Sequence, residues 1–144
     1  MADYFTKLSL VLRLPDEAAQ AYALELARQA SQGQLGDELP ADFPKALAEV
    51  IEDWQFETDA DSPAGEHGVW LHSDYGGVEA LCAFLQHLLQ KFDPNGRVSF
   101  AWSYDCSKPR LDAYGGGAAV VTAQDLKSID TGQWLLNQTG SPSA

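Results

Sequence analysis

Val78-Glu79-Ala80-Leu81-Cys82-Ala83-Phe84-Leu85-Gln86-His87-Leu88-Leu89-Gln90-Lys91-Phe92-Asp93-Pro94-Asn95-Gly96-Arg97-Val98-Ser99-Phe100-Ala101-Trp102-Ser103-Tyr104-Asp105 changes its apolar period part of the way along. At first Val78, Leu81, Leu85, Leu88 and Phe92 recur at three- and four-residue steps, which stacks them on one face of a helix. At the end Val98, Phe100, Trp102 and Tyr104 alternate with Ser99, Ala101, Ser103 and Asp105, the period of a strand with one buried face. Between the two, Asp93-Pro94-Asn95-Gly96 stops the helix with strong turn chemistry.

Upstream, Gln55 to Asp61 and Gly68 to Tyr75 read as two strands joined by Ser62-Pro63-Ala64-Gly65. A helix is expected before them from about Phe43, with Asp42 as N-cap, Pro44 at the first helical position and Phe43, Leu47, Val50, Ile51 and Trp54 as its apolar stripe. At the N-terminus Leu8, Leu10, Leu12 and Leu14 alternate with Lys7, Ser9, Val11 and Arg13, again a strand. Pro15 then suits the first turn of a helix that covers Ala18 to Ala30 and ends at Ser31-Gln32-Gly33.

Downstream, Gly115-Gly116-Gly117 leads into an apolar strand at Ala118 to Val121. Thr122 with Asp125 resembles a capping box, and a last helix is expected from about Thr131 to Gln138. Runs of adjacent strands separated by amphipathic helices predict an α+β fold, with an antiparallel or mixed sheet and helices packed on one face. A ferredoxin-like core with an extra helix and a C-terminal hairpin and helix fits the order. The expected organisation is one domain over residues 1–139 and a frayed tail at 140–144.

The 144 residues, 45% of them hydrophobic and 21% charged, match ordinary soluble globular domains. The formal net charge is −12, which argues against direct binding of nucleic acid or of an anionic membrane. That charge is concentrated. Twelve acids and one base, Lys45, fall between Asp37 and Glu79, a net of −11, and the rest of the chain is close to neutral. An early Asp3, the lack of a basic region before an apolar run and the lack of ~18 consecutive apolar residues lead to an expected cytoplasmic location. In such a compartment Cys82 and Cys106 are expected as free thiols.

Signals for chemistry are weak. Cys106, His72 and Asp74 or Asp105 compose a nucleophilic set only if their strands are neighbours, and no signature flanks Cys106. His67, His72 and His87 fit no zinc spacing, and Asp59-x-Asp61 fails as a calcium loop because Pro63 occupies the third ligand position. No metal and no cofactor are expected. The glycine run opens a strand rather than a helix, so a close backbone crossing beside Trp102 or Tyr104 is favoured over a phosphate cradle. Trp54, Trp102 and Trp134 are read as core, whereas Trp70 shares a strand face with His72 and Asp74 and is the candidate binding aromatic.

Cys106-Ser107-Lys108-Pro109-Arg110, followed by Tyr114-Gly115-Gly116-Gly117-Ala118-Ala119-Val120-Val121-Thr122-Ala123, resembles the C-terminal CSKPR…GGG…VTA pattern of uncharacterised small proteins of bacteriophages, plasmids and other bacterial mobile elements. The likeness spans roughly residues 70 to 135. No catalytic role attaches to that pattern. What the resemblance implies is a setting, an accessory protein of a mobile element, in which interference with host defence or nucleic-acid machinery is a common task.

The expectation from all of this is a non-enzymatic acidic protein that binds, and inhibits, a basic protein or nucleoprotein complex, such as a CRISPR-type defence complex, by presenting a DNA-mimic-like surface. Its partner-binding residues would be Asp37, Glu38, Asp42, Glu49, Glu52, Asp53, Glu57, Asp59, Asp61 and Glu66. The alternative is a small-ligand binder or enzyme with a pocket near Trp70, His72, Asp74, Tyr104 and Cys106. A third class is a homodimer formed through an exposed strand edge.

Overall fold

A computed structural model of the chain describes residues 3–108 and 114–140. The elements are β1 (Tyr4–Leu14), α1 (Glu17–Gln34), α2 (Lys45–Ala48), β2 (Glu57–Asp61), β3 (His67–Ser73), α3 (Val78–Phe92), β4 (Arg97–Cys106), β5 (Gly115–Thr122), β6 (Leu126–Asp130) and α4 (Thr131–Thr139). They form a six-stranded sheet in the order β2-β3-β1-β4-β5-β6, and every neighbouring pair is antiparallel. The fold is α+β. With α1 and α3 as crossovers, the first four strands have the ferredoxin-like order, and β5 and β6 widen that sheet beyond β4.

Period-two patterning decides which face is covered. Leu8, Leu12, Val69, Leu71, Phe100, Trp102, Ala119 and Val121 are buried and join one cluster with Ala23, Leu26, Ala27 and Ala30 of α1 and Leu81, Phe84, Leu85 and Leu88 of α3. Register holds the set together, since Leu12 lies opposite Val69, Leu8 opposite Trp102 and Phe100 opposite Ala119. At the centre of the cluster the Phe84 ring sits 5.2 Å from Trp54 and 6.0 Å from Phe56. Of the residues of opposite parity on these strands, Ser9, Val11, Arg13, Trp70, Ser99, Ala101 and Val120 are exposed.

Several local expectations are corrected. The helix expected from Phe43 to Trp54 is only the four-residue α2, followed by a 3-10 turn at Ile51–Asp53. The backbone leaves the helical region at Val50 and Trp54, which turns the Trp54 indole into the core. Pro44 is the N-cap of α2 and no side chain, that of Asp42 included, caps it. Helix α1 runs on through Gly33 to Gln34, and its N-cap is Asp16, whose carboxylate accepts from the Ala19 amide at 2.8 Å. Thr122 and Asp125 shape the β5–β6 turn rather than a helix start: the Thr122 hydroxyl accepts from the Asp125 amide at 2.8 Å.

The glycine run lies within β5, not ahead of it. Gly117 pairs directly with Trp102, whose indole occupies the space a Cβ would need, so the close crossing is real and no phosphate cradle is formed. Trp54 and Trp102 are core residues as expected, but Trp134 is 50% exposed, because α4 buries none of its residues. Pro109 and Arg110 of the CSKPR segment, and residues 141–144 of the expected tail, lie outside the described residues. No helix among the described residues is long and apolar enough to cross a membrane.

Candidate functional site

Strands β2, β3 and β1 present three rungs to the uncovered face of the sheet. Register sets Glu57 beside His72 and Ser9, Asp59 beside Trp70 and Val11, and Asp61 beside Gly68 and Arg13. Directly opposed residues of antiparallel strands share a face, so these side chains form one surface. Strand β2 is the outer edge, and its three outward positions are all carboxylates, repeating every second residue at ~6.6 Å.

The middle of this surface is tied together by polar contacts. Trp70 stacks on His72 with ring centroids 3.8 Å apart and donates from Nε1 to the Ser9 hydroxyl at 2.8 Å. His72 Nε2 lies 2.8 Å from Asp59, and its Nδ1 lies 3.7 Å from Glu57. Arg13 holds Asp61 at 2.6 Å and Glu66 at 3.2 Å. Glu57 is the least compensated carboxylate of the row, with 79% of its side chain exposed. Next to it opens a hollow of about 360 Å³ whose walls include Ser9, Glu57, Trp70, His72, Asp74 and Tyr75. Aromatic faces and carboxylates around one hollow suit a cationic side chain, which they attract through both charge and ring quadrupole.

The ten carboxylates expected to bind a partner do not share a face. Asp37, Glu38, Asp42, Glu49 and Glu52 are exposed on the loops and short helix that pack with α1 and α3, behind the sheet. Asp53 is structural: its carboxylate accepts from the Ala80 amide at 3.0 Å and serves the start of α3, where Gly77 offers no side-chain cap. Only Glu57, Asp59, Asp61 and the neighbouring Glu66 belong to the open face or its rim.

The five residues of the alternative pocket are likewise divided. Trp70, His72 and Asp74 line the hollow, whereas Tyr104 and Cys106 share the parity of Trp102 and belong to the helix side of β4. Tyr104 accepts from Trp102 Nε1 at 3.0 Å and donates to Asp130, and burial, then that hydrogen bond, raises its pKa. His72 and Cys106 lie on opposite faces, so the nucleophilic set is not assembled. Among the described residues no three of His, Cys, Asp and Glu are grouped as a metal ion requires.

Both thiols are free. Cys82 is 6% exposed, and burial, reinforced by Glu79, pushes its pKa up to about 11. The thiolate is the reactive form. Titration of the native protein with a thiol reagent should therefore consume one equivalent promptly, through the half-buried Cys106, and a second only on unfolding; two equally fast equivalents would contradict this packing.

Residues that the sequence reading did not assign to the site are Ser9, Val11, Arg13 and Tyr75. The first three were visible as the outward half of the β1 alternation, but their neighbours across the sheet depend on strand order. No protein-family model matches the chain, and no curated protein or solved structure matches it either.

Proposed function

We propose that this chain is a non-enzymatic interaction protein whose open sheet face docks on a basic surface of a protein or nucleoprotein partner. The observation that carries the reading is the row Glu57, Asp59 and Asp61 on one exposed edge strand, beside the exposed Trp70. Carboxylates at regular spacing offer a cationic groove what a phosphate row offers it, and a net charge of −12 steers the approach. Trp70 supplies the contact area that a purely electrostatic encounter lacks, with the hollow beside it as the seat for an Arg or Lys side chain.

The class of partner follows from the same chemistry. Surfaces that hold nucleic-acid backbones are rich in Lys and Arg, so occupation of such a surface would inhibit its owner. The mobile-element setting implied by the CSKPR…GGG…VTA pattern supports a host nucleic-acid-binding or CRISPR-type defence complex as the target.

Capture of the partner from bacterial lysate, with wild-type chain and with Glu57→Lys/Asp59→Lys, tests this reading. Each reversal removes one attraction and introduces one repulsion, so at ~0.5–1 kcal/mol per exposed ion pair the double change weakens binding by about 2–4 kcal/mol, or thirty-fold or more. Elution of the wild-type complex should also follow rising salt. Reversal of Glu49 and Glu52, which sit behind the sheet, should leave capture nearly intact. Capture indifferent to salt and to the β2 reversals would overturn the proposal.

A further inference from the structure

Charge and apolar exposure divide the surface unevenly. Of the eleven large hydrophobic side chains exposed among the described residues, five, Val120 (40%), Leu126 (46%), Ile129 (54%), Trp134 (50%) and Leu135 (39%), belong to the β5–β6 hairpin and α4. Helix α4 has no charged residue, and from Gly115 to Gly140 the charges are only Asp125, Lys127 and Asp130. Strand β6 is also the second edge of the sheet, and Leu126, Lys127, Ser128 and Ile129 are all exposed on it. The two edges are thus managed in opposite ways. Three carboxylates on β2 repel a second strand like itself, whereas β6, which has no strand beyond it among the described residues, offers an edge flanked by apolar side chains.

We infer that β6 is the contact surface for a second copy of this chain, which extends the sheet across a two-fold axis. Charge selects the occupant. Two molecules of net charge −12 repel each other chiefly through residues 37–79, and the hairpin with α4 lies outside that segment and carries almost no net charge, so the copies can approach there. The strand is also self-complementary. In an antiparallel pair, opposed residues share a face, so an axis through Ser128 sets Lys127 opposite Ile129 of the second copy and Leu126 opposite its Asp130. That register opposes no like charges and covers both exposed aliphatic side chains of β6. The exposed Trp134 and Leu135 of α4 widen the apolar area around the strand pair toward what a stable interface requires.

This association is independent of the acidic face, and salt separates the two by sign. Basic-partner binding weakens as ionic strength rises, whereas pairing through a strand of no net charge strengthens as repulsion between the copies is screened. Light scattering of the full chain over a concentration series, at low and high salt, should give a mass approaching twice 15.6 kDa, with a larger dimer fraction at high salt. Ile129→Lys should return the mass to that of the single chain while the circular dichroism spectrum is retained. Independently of that variant's folding, Ser128→Cys in a Cys106→Ser background should give a disulfide-linked dimer under mild oxidation, because the two sulfurs meet at the axis. A single-chain mass throughout the series, a dimer that persists in Ile129→Lys, or a dimer that Ser128→Cys fails to link would each overturn the inference.

Discussion

Phe84→Ala should lower the unfolding free energy by about 3–5 kcal/mol, the largest loss expected from any single truncation in this chain. Phe84 is fully buried in α3, and its ring packs against those of Trp54 and Phe56 at 5.2 and 6.0 Å. Both neighbours come from the segment between α2 and β2, where regular secondary structure is short. Removal of the ring leaves a cavity that two stiff aromatic groups cannot collapse to fill. A domain of this size has about 5–15 kcal/mol in total, so the variant should melt on the order of 10 °C lower and unfold at markedly less urea. A loss below about 1 kcal/mol would mean that the aromatic triad is not the centre of the core.

Gly117→Val should also be damaging, although valine is the better strand former. Intrinsic β-propensity would favour the change by up to ~1 kcal/mol, but overpacking at a filled site costs about 1–3 kcal/mol and here the obstacles are rigid. A Cβ at residue 117 would intrude on the Trp102 indole and on the Ile129 carbonyl, one a flat ring in the core and the other the backbone of the neighbouring strand. Sterics should win, with a net destabilisation of roughly 2 kcal/mol and a change in the near-ultraviolet signal of Trp102. The comparison is Ala101→Val, at an exposed position on the other face of β4, which should shift stability by less than about 0.5 kcal/mol. Equal effects at the two sites would refute the packing argument for the glycine run.

The ferredoxin-like core was legible because its strands and helices each carry a single clean period. Leu8 to Leu14, Val98 to Tyr104 and Val78 to Phe92 declare their buried faces locally. The segment from Phe43 to Trp54 misled because an apolar stripe at helical spacing can also be buried by a broken helix and a 3-10 turn, which is how Trp54 reaches Phe84. Strand β6 was missed as a strand because an edge with every side chain but one exposed has no alternation to read. Asp53 gives no local sign of its role, since the amide it caps lies 27 residues ahead.

The site was legible only in part. Company on one strand face separated the exposed Trp70 from the buried Trp54 and Trp102, but Trp134, read as core with them, is exposed as well. Grouping Tyr104 and Cys106 with Trp70 failed on parity: Trp102 marks the buried side of β4, and both residues share that side, while Val69, Leu71 and Ser73 mark the buried side of β3 and leave Trp70 and His72 outward. The acidic region divided for a similar reason. A count of charge along the chain cannot tell the outward positions of an edge strand from loops on the far side of the sheet, and only Glu57, Asp59 and Asp61 form an ordered row.

Competition between this chain and a polyanion for the captured basic partner tests the central claim most directly. If the open face of the sheet occupies a groove built for a phosphate backbone, duplex DNA or RNA and the wild-type chain should displace each other at low salt, and Glu57→Lys/Asp59→Lys should lose the competition. A ternary complex in which partner, nucleic acid and this chain are bound together, with the β2 reversals making no difference, would contradict it.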